Sequence, residues 1–156
     1  VGYATMDGDT SGSISPIAGV SKKFILEWLV FAQKEYRLEG LEKVNELVPT
    51  AELRPLEQSQ TDEADLMPYD VLVEIERYAI LEGLPPKVIF EHMESKHDPL
   101  QLRGWIRKFF RLWARNQWKR ERYAPSFHFD DFNIDPRSWY RFPILSGSFQ
   151  EELGET

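Results

Sequence analysis

The sequence predicts a mostly α-helical chain with one or two short strands. Two observations carry this reading. Apolar residues recur at helical spacing in several segments, and Ser, Asp, Pro and Gly stand where helix ends need them. Only "GYAT" at 2–5 and "SISPIAG" at 13–19 look extended, too little to close a sheet on their own.

The elements follow in order. After "GYAT" comes a turn-rich stretch, and Ser21 is a plausible cap because its hydroxyl can accept from first-turn N–H groups. The helix it opens, roughly 22–37, places Phe24, Trp28 and Phe31 on one face with Ile25 and Leu29 beside them. Gly40 precedes a shorter helical pattern, "LEKVNELV", which Pro49 stops. Residues 49–68 carry three prolines, five acids and no apolar period. They read as a long loop of the kind that is usually functional. Tyr69, Leu72, Ile75 and Ala79 mark a helix over about 69–82, with Gly83 as its stop. Pro85 and Pro86 can start "KVIFEHME". Asp98-Pro99 caps the longest helix, about 99–121, which bears Trp105, Ile106, Phe109, Phe110 and Trp113. Beyond Arg122 the chain is aromatic, proline-punctuated and irregular.

The 156 residues suit one domain, and 42% hydrophobic with 29% charged content is ordinary for a globular protein. The net charge of −7 argues against a chain devoted to nucleic acid. The charge is uneven, however. Pro99–Arg122 holds eight bases and one acid, whereas the first 98 residues hold 19 acids and nine bases. A single-strand nucleic-acid reading of helix 99–121 would need its aromatics free in solvent. Their spacing is instead that of a packed face, with the arginines solvated or snorkelling. Cysteine is absent, which excludes disulfides, thiolate metal sites and a cysteine nucleophile. With no apolar run near the ~18 residues that span a bilayer, and no secretory leader pattern, a cytoplasmic location and no membrane partner are expected.

Four groups could carry chemistry. "GYATMDGDTSGSISPIAGVSKK" (2–23) has the glycines, hydroxyls and lysine pair of a phosphate cradle, but not the spacing of G-x-x-x-x-G-K-[ST] or G-x-G-x-x-G. "TDEAD" (61–65) could bind a cation, although acids before a helix commonly serve its dipole. His92, His97 and His128 share no metal-ligand spacing, and His92 and His97 read as surface or helix-end residues. "QWKR" (117–120) gathers charge just before the irregular tail. No G-x-S-x-G elbow or ordered Ser-His-Asp set is recognisable. Residues alone therefore support a helical domain with two suspicious loops, 7–22 and 49–65.

Taken together, "GYATMDGD…SPIAGVSKK", "PTAEL", "QTDEADL", "EGLPPKV" and "QWKR" occur in the order and at the intervals of NAD synthetase, and the chain resembles that family over nearly its whole length. The resemblance implies an adenine nucleotide α-hydrolase-like α/β fold. It also implies ATP-dependent amidation of deamido-NAD to NAD through an adenylated intermediate, the final step of NAD biosynthesis. Residue by residue, it implies that Lys22 and Thr50 bind ATP. Asp9, Trp118 and Lys119 are implied to bind deamido-NAD, Trp118 standing where the ammonia-dependent enzymes usually have histidine. No catalytic nucleophile is implied, because the substrate carboxylate itself attacks. Where short members have a binding lysine and aspartate, this chain has Met6 and Ser13. The long insertion before "QWKR" and the tail "DPRSWYRFP" look closer to the glutamine-dependent members, which draw ammonia from a glutaminase domain.

On this resemblance, residues 1–156 are expected to be the C-terminal part of a synthetase domain. The S-G-G-x-D-S pyrophosphate loop, the segment with most Mg2+ ligands and the glutaminase domain would then lie elsewhere in the enzyme. The expected partners are ATP, deamido-NAD, the rest of the enzyme and a second copy in a homo-oligomer. No metal site is expected within these residues. Thr50–Asp65 is expected to form a lid that orders over bound nucleotide, since closure shields an acyl-adenylate from water. The alternatives are a non-catalytic helical interaction module, favoured by Met6 and Ser13, and the single-strand nucleic-acid binder.

Overall fold

A computed structural model of the protein describes residues 1–5, 11–50, 61–139 and 149–155. The chain forms two units, Val1–Val20 with Glu74–Thr156, and Ser21–Val73.

In the Ser21–Val73 unit, α1 (Lys22–Glu35) begins where predicted, with Ser21 Oγ accepting from the Phe24 N–H at 3.2 Å. Helix α2 (Leu41–Asn45) packs on α1, and Asn45 Nδ2 donates to Gln33 Oε1 at 2.7 Å. The aromatic face of α1 is not buried: Phe24, Trp28 and Phe31 are 56%, 48% and 52% exposed, and Ala32 is the one fully buried α1 residue. The stretch read as loop holds a single helical turn, α3 (Asp62–Asp65), with Thr61 Oγ1 capping the Ala64 N–H at 3.1 Å. One turn is too short to show an apolar period, so only the cap and its acids announced it.

Helix α4 (Tyr69–Glu76), within which the division between the units falls, continues as a wider π turn over Arg77–Leu81 before Gly83 ends it. The Glu74–Thr156 portion then builds its core from α5 (Pro86–Met93) against α6 (Pro99–Arg115). Pro86 sits in the first turn of α5, and Asp98 Oδ1 accepts from Gln101 N–H at 2.9 Å to cap α6. Ile89, Met93, Leu102, Ile106, Phe109 and Phe110 are essentially sealed from water. Phe149 enters the same cluster, its ring 4.6 Å from that of Phe110 and stacked on Trp113 at 5.8 Å. Helix α8 (Gln150–Glu155) follows it onto α5, where the Leu153 carbonyl accepts from Arg107 Nε at 3.0 Å.

The helix expected over 99–121 breaks at Asn116, leaving α7 (Gln117–Arg120) as a separate turn. The expected short strands are not present among the described residues. The segments involved make isolated bonds instead of a ladder: Ser15 N–H donates to the Pro125 carbonyl at 2.9 Å and Ile134 N–H to that of Gly19 at 2.9 Å. Pro16 and Pro125 lack the N–H donors that would extend such pairing. Among the described residues no helix is long and apolar enough to cross a membrane.

Candidate functional site

Two cationic positions emerge, one in each unit. Lys22 is the first residue of α1, exposed, in a first turn that contains no acid. A helix N-terminus whose own first turn carries no acid is favourable for an anion. Its neighbour is occupied differently. Lys23 Nζ meets Asp70 Oδ1 at 2.5 Å and Glu27 Oε1 at 3.7 Å, and the hydrogen bond to Asp70 raises its pKa above the ordinary lysine value. Of the "KK" pair, Lys22 is thus the one left without an ion-pair partner among the described residues.

Thr50, in the same unit, is exposed and follows Pro49, whose carbonyl accepts from Asp62 N–H at 3.1 Å. That bond draws together the two ends of the loop. The acids of "TDEAD" are engaged locally: Asp62 Oδ2 accepts from the Tyr69 hydroxyl at 3.1 Å and Glu63 Oε1 from the Tyr69 N–H at 2.7 Å. Asp62 and Glu63 thus act as local acceptors for Tyr69, in the first turn of α3. The central part of the expected lid, 51–60, lies outside the described residues, and so do Met6 and Asp9 of the first loop. Ser13 is exposed in a bend.

In the other unit, Trp118 and Lys119 stand side by side on α7. Trp118 is exposed, and the Lys119 ammonium lies 5.9 Å from its ring centroid while donating to the Ala4 carbonyl at 3.1 Å. One of the three ammonium donors is thereby directed, leaving two for an anion. The exposed aromatic neighbour offers a face on which a planar ring could stack.

The last residue of "QWKR" behaves unlike the others. Arg120 is 1% exposed, and its Nη2 donates to the Trp113 carbonyl and, at 2.8 Å, to Gln117 Oε1. Gln117 is equally buried and passes a 2.7 Å bond from Nε2 to Glu121 Oε1. Arg120 is thus set apart from the other charge that gathers before the tail. A signal was present in the alternation Gln-Trp-Lys-Arg, where positions 117 and 120 share a helical face.

The corner at Asn116 was missed altogether. Its Nδ2 donates to the Val1 carbonyl at 3.1 Å. Gly2, at φ +69°, lies so close that a Cβ there would stand 2.6 Å from Asn116 Cβ. The irregular tail hides a second network. Asp135 accepts from Ser126 Oγ at 2.8 Å and Ser138 Oγ at 2.6 Å, and Asn133 Nδ2 meets His128 Nδ1 at 2.8 Å. His92 Nδ1 donates to the Val88 carbonyl at 2.7 Å and His97 packs edge-on to Trp105, both helix-end roles. Among the described residues no group of three His, Asp or Glu side chains converges to hold a metal ion, so these residues do not by themselves fit a Mg2+ site.

A helical chain that offers an acid-free, lysine-bearing helix start and an aromatic-flanked lysine corner has the makings of a nucleotide-binding segment. The NAD synthase family model matches residues 1–122, and the chain belongs to that family. A glutamine-dependent NAD(+) synthetase from Drosophila melanogaster is 31% identical over 92% of this chain and 19% of its own length. One from Saccharomyces cerevisiae is 28% identical, over 92% of this chain and 21% of its own length. The crystal structure of a glutamine-dependent NAD(+) synthetase from Cytophaga hutchinsonii superposes with a TM-score of 0.81 at 53% identity, covering 99% of this chain and 24% of that one. The chain thus spans about a fifth to a quarter of the length of these relatives.

Proposed function

We propose that this chain is the C-terminal part of the synthetase domain of a glutamine-dependent NAD synthetase, a carbon–nitrogen ligase that converts deamido-NAD to NAD. The observation that carries the reading is the Trp118–Lys119 corner, set beside the segment that leads into the first loop and lying inside the family match. In the complete enzyme these helices would belong to an adenine nucleotide α-hydrolase-like α/β domain.

In the proposed reaction the nicotinate carboxylate of deamido-NAD attacks the α-phosphorus of ATP and pyrophosphate leaves. Ammonia from a glutaminase domain then attacks the acyl carbon and AMP departs. Lys22 would set its charge, with the start of α1, against the ATP phosphates as pyrophosphate builds up negative charge. Thr50 would offer a hydroxyl to the same phosphates. Lys119 would hold an anionic group of deamido-NAD as a point charge, with Trp118 against a ring. Any Mg2+ accompanying ATP would take its ligands mostly from the rest of the enzyme. Homo-oligomerisation and a cytoplasmic setting belong to the same proposal.

The test is NAD formation from deamido-NAD, ATP and glutamine. The complete enzyme should turn over, and the isolated 156-residue chain should not, since half a site cannot orient two nucleotides. Turnover by the isolated chain comparable to the complete enzyme would refute its assignment as part of a larger site.

A further inference from the structure

The corner between α6 and α7 contains a residue whose side chain does more than the helix break requires. Asn116 ends α6 with its backbone: its N–H donates to the Leu112 carbonyl at 2.9 Å, and its carbonyl accepts from Lys119 N–H at 3.0 Å and Arg120 N–H at 3.3 Å. None of these uses the side chain. The side-chain amide instead reaches across the sequence and donates from Nδ2 to the Val1 carbonyl at 3.1 Å. The acceptor's identity fixes which way the amide faces, because a carbonyl can only accept.

The opposing segment is fitted to this contact. Gly2 adopts φ +69°, and a Cβ there would come within 2.6 Å of Asn116 Cβ and 3.2 Å of its carbonyl oxygen. Two residues further on, the Ala4 carbonyl takes the Lys119 ammonium at 3.1 Å. The opening segment is therefore held at Asn116, between α6 and α7, by Val1, pressed close to it at Gly2 and turned toward Lys119 at Ala4. Lysine is a flexible four-carbon stem, and a free one samples many rotamers. A fixed carbonyl selects among them.

We propose that Asn116 is a positioning residue for Lys119: by holding the Val1 carbonyl it sets the Ala4 carbonyl, which orients the ammonium that binds the dinucleotide. This inference rests on the proposed role of Lys119 toward deamido-NAD. Asn116 itself touches neither substrate.

A double-mutant cycle tests it. Deamido-NAD and ATP affinities are measured by calorimetry on the complete enzyme as wild type, Asn116→Ala, Lys119→Ala and the double variant. Lys119→Ala should weaken deamido-NAD by about ten- to a hundredfold, the range for a charge-assisted contact. Asn116→Ala should weaken it by about three- to tenfold, and the double variant should be no weaker than Lys119→Ala alone. ATP affinity should stay within about twofold throughout. If Asn116→Ala does not fold, Gly2→Ala presses on the same contact from the other side and should show the same pattern. Losses that multiply in the double variant, or that strike ATP equally, would overturn the proposal, as would an unchanged affinity in Asn116→Ala beside a weakened Lys119→Ala. An unchanged deamido-NAD affinity in Lys119→Ala would overturn the site reading and this inference together.

Discussion

Helices α1 and α6 carry similar aromatic periods and meet different surroundings. In α6, Phe109 and Phe110 are sealed among α5 and α6 side chains, with Phe149 completing the cluster. In α1, Phe24, Trp28 and Phe31 each leave about half their surface to water, and Leu47 and Val48 beyond α2 are more exposed still. An apolar stripe states that a face is suited to burial. It does not state what covers it.

The contrast is broken most directly by truncating side chains in the two helices. Phe109→Ala should cost about 3–5 kcal/mol, through lost burial and the cavity left behind. Phe31→Ala should stay within about 0.5–1 kcal/mol in the isolated chain, because little enclosed packing is lost. Denaturant titration of both variants measures the difference. Equal losses would mean that the α1 face is enclosed in the isolated chain.

A smaller effect is expected where two loops touch. A Cβ on Gly19 would fall 1.8 Å from Asn133 Oδ1, which also accepts from the Asp135 N–H at 3.1 Å. Gly19→Ala must displace that side chain and should cost about 1–3 kcal/mol by thermal unfolding. Caps come next. Asp98→Ala removes the acceptor of Gln101 N–H from a helix in the sealed core, and should cost about 1 kcal/mol.

The smallest effect belongs to the Lys23–Asp70 pair at the surface. Lys23→Met should cost no more than about 0.5 kcal/mol, since both partners are well solvated. Because the folded-state pKa of Lys23 is raised, the contribution is fully present below the unfolded lysine value of 10.5 and disappears as pH climbs through the higher folded value. Wild type and Lys23→Met should therefore converge in stability only at strongly alkaline pH.

These comparisons show what local chemistry could and could not reveal. Ser21, Gly83, Pro86 and Asp98 sit where helix ends demand them, because a cap is decided by neighbours within a few residues. The buried face of α6 was equally readable from its period. The exposure of α1, the burial of Arg120 and the Asn116 corner depend on contacts far apart in sequence, the last spanning residues 1 and 116. Helix α3 is a single turn and leaves no period to read. The expected strands fail for a related reason, since a strand exists only with a partner, and propriety of local sequence cannot supply one.

The site divides in the same manner. The proposed role of Lys119 rests on a motif that resembles a family, and the structure adds that its ammonium donates to the Ala4 carbonyl. Lys22 rests on the same resemblance, and the structure adds that it has no ion-pair partner among the described residues whereas Lys23 pairs with Asp70.

Steady-state kinetics of the complete enzyme carrying Lys119→Ala or Lys22→Ala test the division of roles at the centre of this account. Lys119→Ala should raise KM for deamido-NAD by about ten- to a hundredfold while leaving that for ATP nearly unchanged, the equivalent of roughly 1.5–3 kcal/mol at one substrate. Lys22→Ala should do the reverse. If both substitutions shift both substrates equally, the two lysines do not serve separate nucleotides, and the account is contradicted.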